Sequence, residues 1–181
     1  MTKKQIKTKA GEVHIEDDFA TKRLNKPLAH LNNNWLEFYK CLSDENPDLL
    51  QIYEVIDQKT YRMEKIEVID NIERILKEPE YYPYLSKNII SEVIRVINES
   101  WVQAIKYSNT FPEQHKYFIN TDLTLDNIVL TTDYKVRLID PESYNFVNNL
   151  DYTEKYYLTQ VNLMYKLQKY FFTVIDRNAM S

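Results

Sequence analysis

A single glycine, Gly11, occurs in 181 residues. Loops that wrap phosphates need several positions with no side chain or with positive φ. Neither the G-x-G-x-x-G turn of dinucleotide-binding sheets nor a Walker A loop can be written with one glycine, so Rossmann and P-loop architectures are excluded in their standard forms. With 44% hydrophobic and 13% aromatic residues the chain is globular, long enough for one domain or two small lobes. The net charge of −4 argues against a nucleic-acid partner held by bulk electrostatics. The one cysteine, Cys41, cannot form an internal disulfide, and no zinc-ligand spacing occurs. No apolar leader and no apolar run long enough for a bilayer is present, so the expected setting is the cytoplasm, with no membrane partner. The lysines at 3, 4, 7 and 9 read as a solvated, frayed N-terminus.

The stretch from Phe118 to Tyr144 carries the chemistry. Two apolar runs, Ile128-Val129-Leu130 and Val136 to Ile139, flank a polar tip at Thr131 to Tyr134, which predicts a tight β-hairpin. Asp122 and Asn127 precede the first strand and Asp140 follows the second. A hairpin folds its outer ends together, so these three side chains should converge. Two carboxylates and an amide oxygen make a hard-oxygen site suited to Mg²⁺, and the further carboxylate can accept a proton.

The loop Asn120-Thr121-Asp122-Leu123-Thr124-Leu125-Asp126-Asn127, followed by Leu138-Ile139-Asp140-Pro141, resembles the catalytic centre of the protein-kinase-like phosphotransferases. It looks closer to the small-molecule branch, the aminoglycoside, choline and fructosamine kinase relatives, because Pro141-Glu142 stands after Asp140 where protein kinases have Phe-Gly. The resemblance implies an α+β bilobal fold, with a reduced N-lobe over 1–66 and a mainly helical C-lobe over 67–181. It implies ATP and Mg²⁺ as ligands and a hydroxyl-bearing acceptor. Asp122 would be the catalytic base, and Asn127 and Asp140 would hold the metal. Phe19-Ala20-Thr21-Lys22 is similar to the kinase strand whose lysine contacts the phosphates, which points to Lys22, with Glu37 of the next helix as its paired acid. Tyr61 to Ile66 is similar to a hinge, where Met63 would border the adenine and the backbone of Glu64 and Ile66 would bond it.

The rest of the chain fits this order. Glu12 to Leu24 reads as strand-turn-strand, and Leu28, Leu31, Trp35, Phe38 and Leu42 as a helix ended near Pro47. Leu49–Ile56 and Thr60–Ile66 form a second hairpin, and Glu67–Lys77 a short amphipathic helix. Tyr81-Tyr82-Pro83-Tyr84 is a packing connector. Ile90, Val93, Ile94, Ile97, Trp101, Val102 and Ile105 mark a long buried helix over Ile89–Tyr107, and Leu158, Val161, Tyr165 and Phe172 a final one. The histidines at 14, 30 and 115 have no ligand spacing and receive no role. The Asn-rich segment Tyr144–Asp151 leaves no room for a regulatory activation segment.

Three departures from the family stand out. Asn120 replaces the loop histidine, no Gly-rich loop covers the phosphates, and the C-lobe is short. Either a turn near Lys9-Ala10-Gly11 serves as the cover, or the nucleotide is bound weakly. The departures define a rival reading, a catalytically weak kinase-like domain that serves as a binding module. A helical interaction protein is a third reading, opposed by the two hairpins. Acidic residues around Glu142 and Asp151 suit a cationic acceptor.

Overall fold

Five antiparallel strands open the chain: β1 (Lys4–Lys7), β2 (Gly11–Ile15), β3 (Phe19–Leu24), β4 (Ile52–Asp57) and β5 (Thr60–Glu64), in the sheet order β1-β2-β3-β5-β4. The computed structural model describes residues 4–78, 87–110, 116–148 and 161–170. The tyrosine connector at 81–84, His115, Asp151, Leu158 and Phe172 lie outside the described residues. The class is α+β.

The lysine-rich N-terminus forms an edge strand: β1 pairs with β2, with Ile6 opposite Val13. Its four residues are all exposed, so backbone pairing rather than burial holds it. Between β3 and β4 lies α1 (Asn33–Glu45). Asn32 caps it, its side chain accepting from the Trp35 amide at 3.0 Å. Leu28 and Leu31 therefore precede the helix rather than belonging to it.

The expected helix over Glu67–Lys77 divides in two. Val68–Asn71 is a strand, β6, and only Ile72–Lys77 is helical, α2. The Asn71 side chain accepts from the Arg74 amide at 2.9 Å and starts the helix there. Upstream of that cap, β6 pairs with β8 (Ile128–Thr131), which pairs in turn with β9 (Val136–Leu138).

The long helix α3 (Lys87–Thr110) buries Ile90, Val93, Val96 and Ile97, whereas Val102 is 64% exposed. Residues 161–170 are helical, but the buried positions are Leu163 and Leu167, and Val161 and Tyr165 face solvent. The expected stripe there was out of phase with the face that packs. One hydrophobic cluster runs from Ala20 and Trp35 through Ile97 and Ile128 to Leu167, so the sheet and the helices share a core. No helix among the described residues is long and apolar enough to cross a membrane.

Gly11 has a specific reason. A β-carbon there would lie 2.0 Å from the Arg23 carbonyl oxygen on β3, next to Leu24, which pairs with Gly11. Gly11→Ala is expected to destabilise the protein by about 1–3 kcal/mol, the range for forced overpacking, read as a lower urea midpoint. An unchanged midpoint would show that the β2–β3 pair is looser than this contact implies.

Candidate functional site

Two ladders bring the loop before β8 beside the segment after β9. On one side, β7 (Lys116–Asn120) pairs with β10 (Tyr144–Asn148), with Asn120 opposite Tyr144. The Thr121 amide donates to the Ser143 carbonyl at 2.8 Å. On the other side, Ile128 faces Leu138 across the β8–β9 hairpin, and the Ile139 amide donates to the Asn127 carbonyl at 3.0 Å. The segments 121–127 and 139–143 are thus clamped at both ends. The Asn-rich segment begins as strand β10 over Tyr144–Asn148.

Within the clamp, the Asn127 side-chain amide donates to the Asp122 carbonyl at 2.9 Å and to its carboxylate at 3.4 Å. With Nδ2 committed to Asp122, the oxygen Oδ1 is the atom a cation would meet. Asn127 is buried and Asp122 exposed, so the carboxylate remains open to solvent. Asn120 is buried, and its side-chain oxygen accepts from the Asp122 amide at 2.9 Å. That hydrogen bond ties the start of the loop to the end of β7. Asp140 sits at φ 61°, ψ 58°, a left-handed conformation uncommon outside glycine but tolerated by Asp.

Lys22 is only 4% exposed, and its Nζ lies 2.5 Å from an Asp140 oxygen and 2.5 Å from a Glu142 oxygen. The other Glu142 oxygen accepts from the Tyr61 hydroxyl. Burial alone pushes the Lys22 ammonium down; Glu142 and Asp140 outweigh it, and the net direction is up. A buried lysine facing two carboxylates stays charged.

The expected Lys22–Glu37 pair does not form. Helix α1 turns Trp35, Tyr39 and Leu42 inward, and Glu37 is exposed. At ~100° per residue, a side chain two positions from both Trp35 and Tyr39 points away from the face they share. The acids beside Lys22 are Asp140 and Glu142, and Glu142 is one of the acidic residues expected to suit a cationic acceptor. Its place two residues after Asp140 was the available signal. Being 8% exposed and committed to Lys22 and Tyr61, it cannot belong to a surface for a cationic acceptor.

Lys22 and Asp140 are among the residues that line a cleft of about 450 Å³. Val13, Ala20, Met63, Ile66, Val129 and Ile139 give it apolar walls. That size and lining suit a planar, largely apolar ring system with a polar tail. Of the expected hinge residues, Met63, Glu64 and Ile66 all line it. The Glu64 amide already donates to the Gln51 carbonyl at 2.9 Å, so only its carbonyl could serve a base. The Glu64 carboxylate accepts from the Gln51 amide at 2.7 Å and from Arg137 on β9. A second, larger depression of about 770 Å³ shares Ile6, Ile15, Lys65, Ile66 and Val68 with the cleft and carries mixed charges that include Lys4, Lys65, Asp17 and Glu67. The β1–β2 turn closes through the Thr8 amide to the Gly11 carbonyl at 2.8 Å, and Thr8 reaches the cleft.

Among the described residues, no three His, Cys, Asp or Glu side chains gather as a metal shell. Asn127 and Asp140 supply one amide oxygen and one carboxylate. A site offering only these two would leave an Mg²⁺ most of its own waters. No protein-family model matches the chain, and no curated protein matches it.

The core around the site predicts an alkaline limit to stability. Burial holds the Tyr39 and Tyr61 phenols well above their ordinary value and raises Tyr144 to about 12. With Lys22, these groups keep their protons to higher pH folded than unfolded. The stability they contribute is complete below about pH 10 and is lost as pH rises through the folded values. Urea midpoints should fall steeply above about pH 10. Ultraviolet titration of the 15 tyrosines should show a late fraction that ionises only with unfolding. Uniform ionisation of all tyrosines in the folded protein would contradict this.

Proposed function

We propose that the protein is an ATP- and Mg²⁺-dependent phosphotransferase of protein-kinase-like, bilobal design, moving the γ-phosphate to an acceptor hydroxyl. The observation that carries this reading is the ion pair of Lys22 on the third strand with Asp140, both lining a partly apolar cleft of about 450 Å³. The strand order of the first sheet, with one helix between β3 and β4, supports a kinase-like small lobe over 1–66. The clamped loop and hairpin support the catalytic half over 67–181. A reducing cytoplasm suits the exposed Cys41.

The roles follow from position. Met63 borders the adenine, with the Glu64 carbonyl and the Ile66 amide facing its edge. Lys22 neutralises the phosphate chain. Asn127 and Asp140 hold the cation, which when bound screens the charge on the transferring phosphoryl group. Asp122 orients the acceptor hydroxyl and takes its proton. Most of the rate advantage is positioning and charge neutralisation.

The cover over the phosphates favours a second reading. The Asn25 amide donates to the Ala10 carbonyl at 2.8 Å, and its side chain to the Lys9 carbonyl at 3.1 Å. The turn is pinned and lacks a flexible glycine at its tip, as would suit a binding module with little turnover.

Melting temperature with and without Mg²⁺-ATP separates these. A ligand that binds only the folded protein raises it by an amount set by concentration over Kd. We expect a rise that is lost in Asp140→Ala. Asp122→Asn should keep the rise and reduce phosphate transfer by about 10²–10⁴-fold, the usual worth of a positioned base. A rise without ATP consumption across acceptors selects the binding module. No rise in the wild type defeats both forms of nucleotide binding.

A further inference from the structure

We infer that Glu142, not an acid on α1, is the residue that positions Lys22 against the phosphates. This rests on the phosphotransferase reading above. Lys22 has two acidic neighbours with different surroundings. Asp140 is 27% exposed and lines the cleft, so it is open to a cation. Glu142 is 8% exposed and lies behind the lysine.

Glu142 is itself fixed on several sides. The Tyr61 hydroxyl on β5 donates to one carboxylate oxygen, leaving the other for Lys22. The Glu142 carbonyl lies 2.9 Å from His30 Nε2. Its backbone belongs to a single 3₁₀ turn over Pro141–Ser143, closed by the Ser143 amide on the Asp140 carbonyl at 3.0 Å. A buried carboxylate with one oxygen held by a buried phenol has little rotational freedom. The ammonium it pairs with inherits that fixed place. When Asp140 turns to a cation, Lys22 keeps a partner and stays aimed at the cleft.

The arrangement also places two negative formal charges around one positive charge at the phosphate end of the cleft. That surplus favours an incoming divalent cation. Because Asp140 and Glu142 share one turn, the cation site and the lysine are set together. Displacement of α1 would not break the pair, unlike kinases in which a helix acid makes that contact.

The test compares Mg²⁺-ATP with adenosine as titrants of the full chain, in wild type, Glu142→Gln, Tyr61→Phe and Glu37→Gln. Adenosine reports the apolar slot; the ratio of the two affinities reports the phosphate end. Glu142→Gln should lower the Mg²⁺-ATP affinity by about 10–100-fold, as loss of an outer-shell partner does, and leave adenosine affinity unchanged. Tyr61→Phe, which keeps the ring and frees the carboxylate, should move the ratio the same way by less. It decides the matter if Glu142→Gln shows no cooperative melt. The inference is overturned, with the phosphotransferase reading intact, if the ratio survives both changes or collapses instead in Glu37→Gln. Wild type that binds neither titrant overturns both.

Discussion

A lysine with 4% exposure between two carboxylates is the constraint on which the architecture depends. Removing an ammonium from water costs several kcal/mol even after relaxation, and attraction offsets this only with good geometry and satisfied partners. Here the geometry comes from distant parts of the chain. Lys22 arrives on β3, and Asp140 and Glu142 on the turn between β9 and β10. Tyr61 arrives on β5, opposite Lys22 in the sheet register. The charge cluster therefore ties the first sheet to the hairpin half of the molecule and sets where the cleft between them can open.

A neutral counterpart stands beside it. Trp35 and Tyr39 stack at 5.1 Å on the inner face of α1. Tyr39 meets Tyr144 at 5.4 Å, and Phe118 meets Tyr144 at 5.8 Å and Phe146 at 4.9 Å. The Trp35 ring nitrogen donates to the Tyr144 carbonyl at 2.8 Å, and the Tyr144 hydroxyl bonds Ser100 at 2.7 Å. These rings pack α1 against the β7–β10 pair, one end of the clamp around Asp122. The helix acts here as an aromatic post. A face filled by Trp35, Tyr39 and Leu42 has no room for an acid, which is why the lysine's partner comes from elsewhere.

Local signals carried much of the fold. The strands around Asp17-Asp18 and Asp57-Gln58-Lys59, the helix near Trp35 and the hairpin at Thr131–Tyr134 each follow from a pattern within about ten residues. The edge strand β1 and the strand β6 did not. Lys4–Lys7 has no buried face, and Val68–Asn71 shares an accidental helical spacing with Ile72 and Ile75. Both exist because a partner strand presents an unfilled edge, and that partner is remote in sequence for β6. The phase of the helical residues 161–170 failed for a similar reason: either face holds apolar residues, and the surface that meets them decides which is buried.

The chain by itself showed one glycine, a lysine on an amphipathic strand, and the spacing of Asp122, Asn127 and Asp140 around a hairpin. Spacing suffices for those three because covalent connection and a short ladder bring them near one another. Tertiary structure alone decided the lysine's company. Lys22 and Glu142 are separated by 120 positions but lie 2.5 Å apart, and no local pattern encodes a contact made only when the sheet, the aromatic post and the hairpin close together. A buried charge accepts whichever carboxylate the packing delivers to it, and here packing turned Glu37 outward and brought Glu142 in.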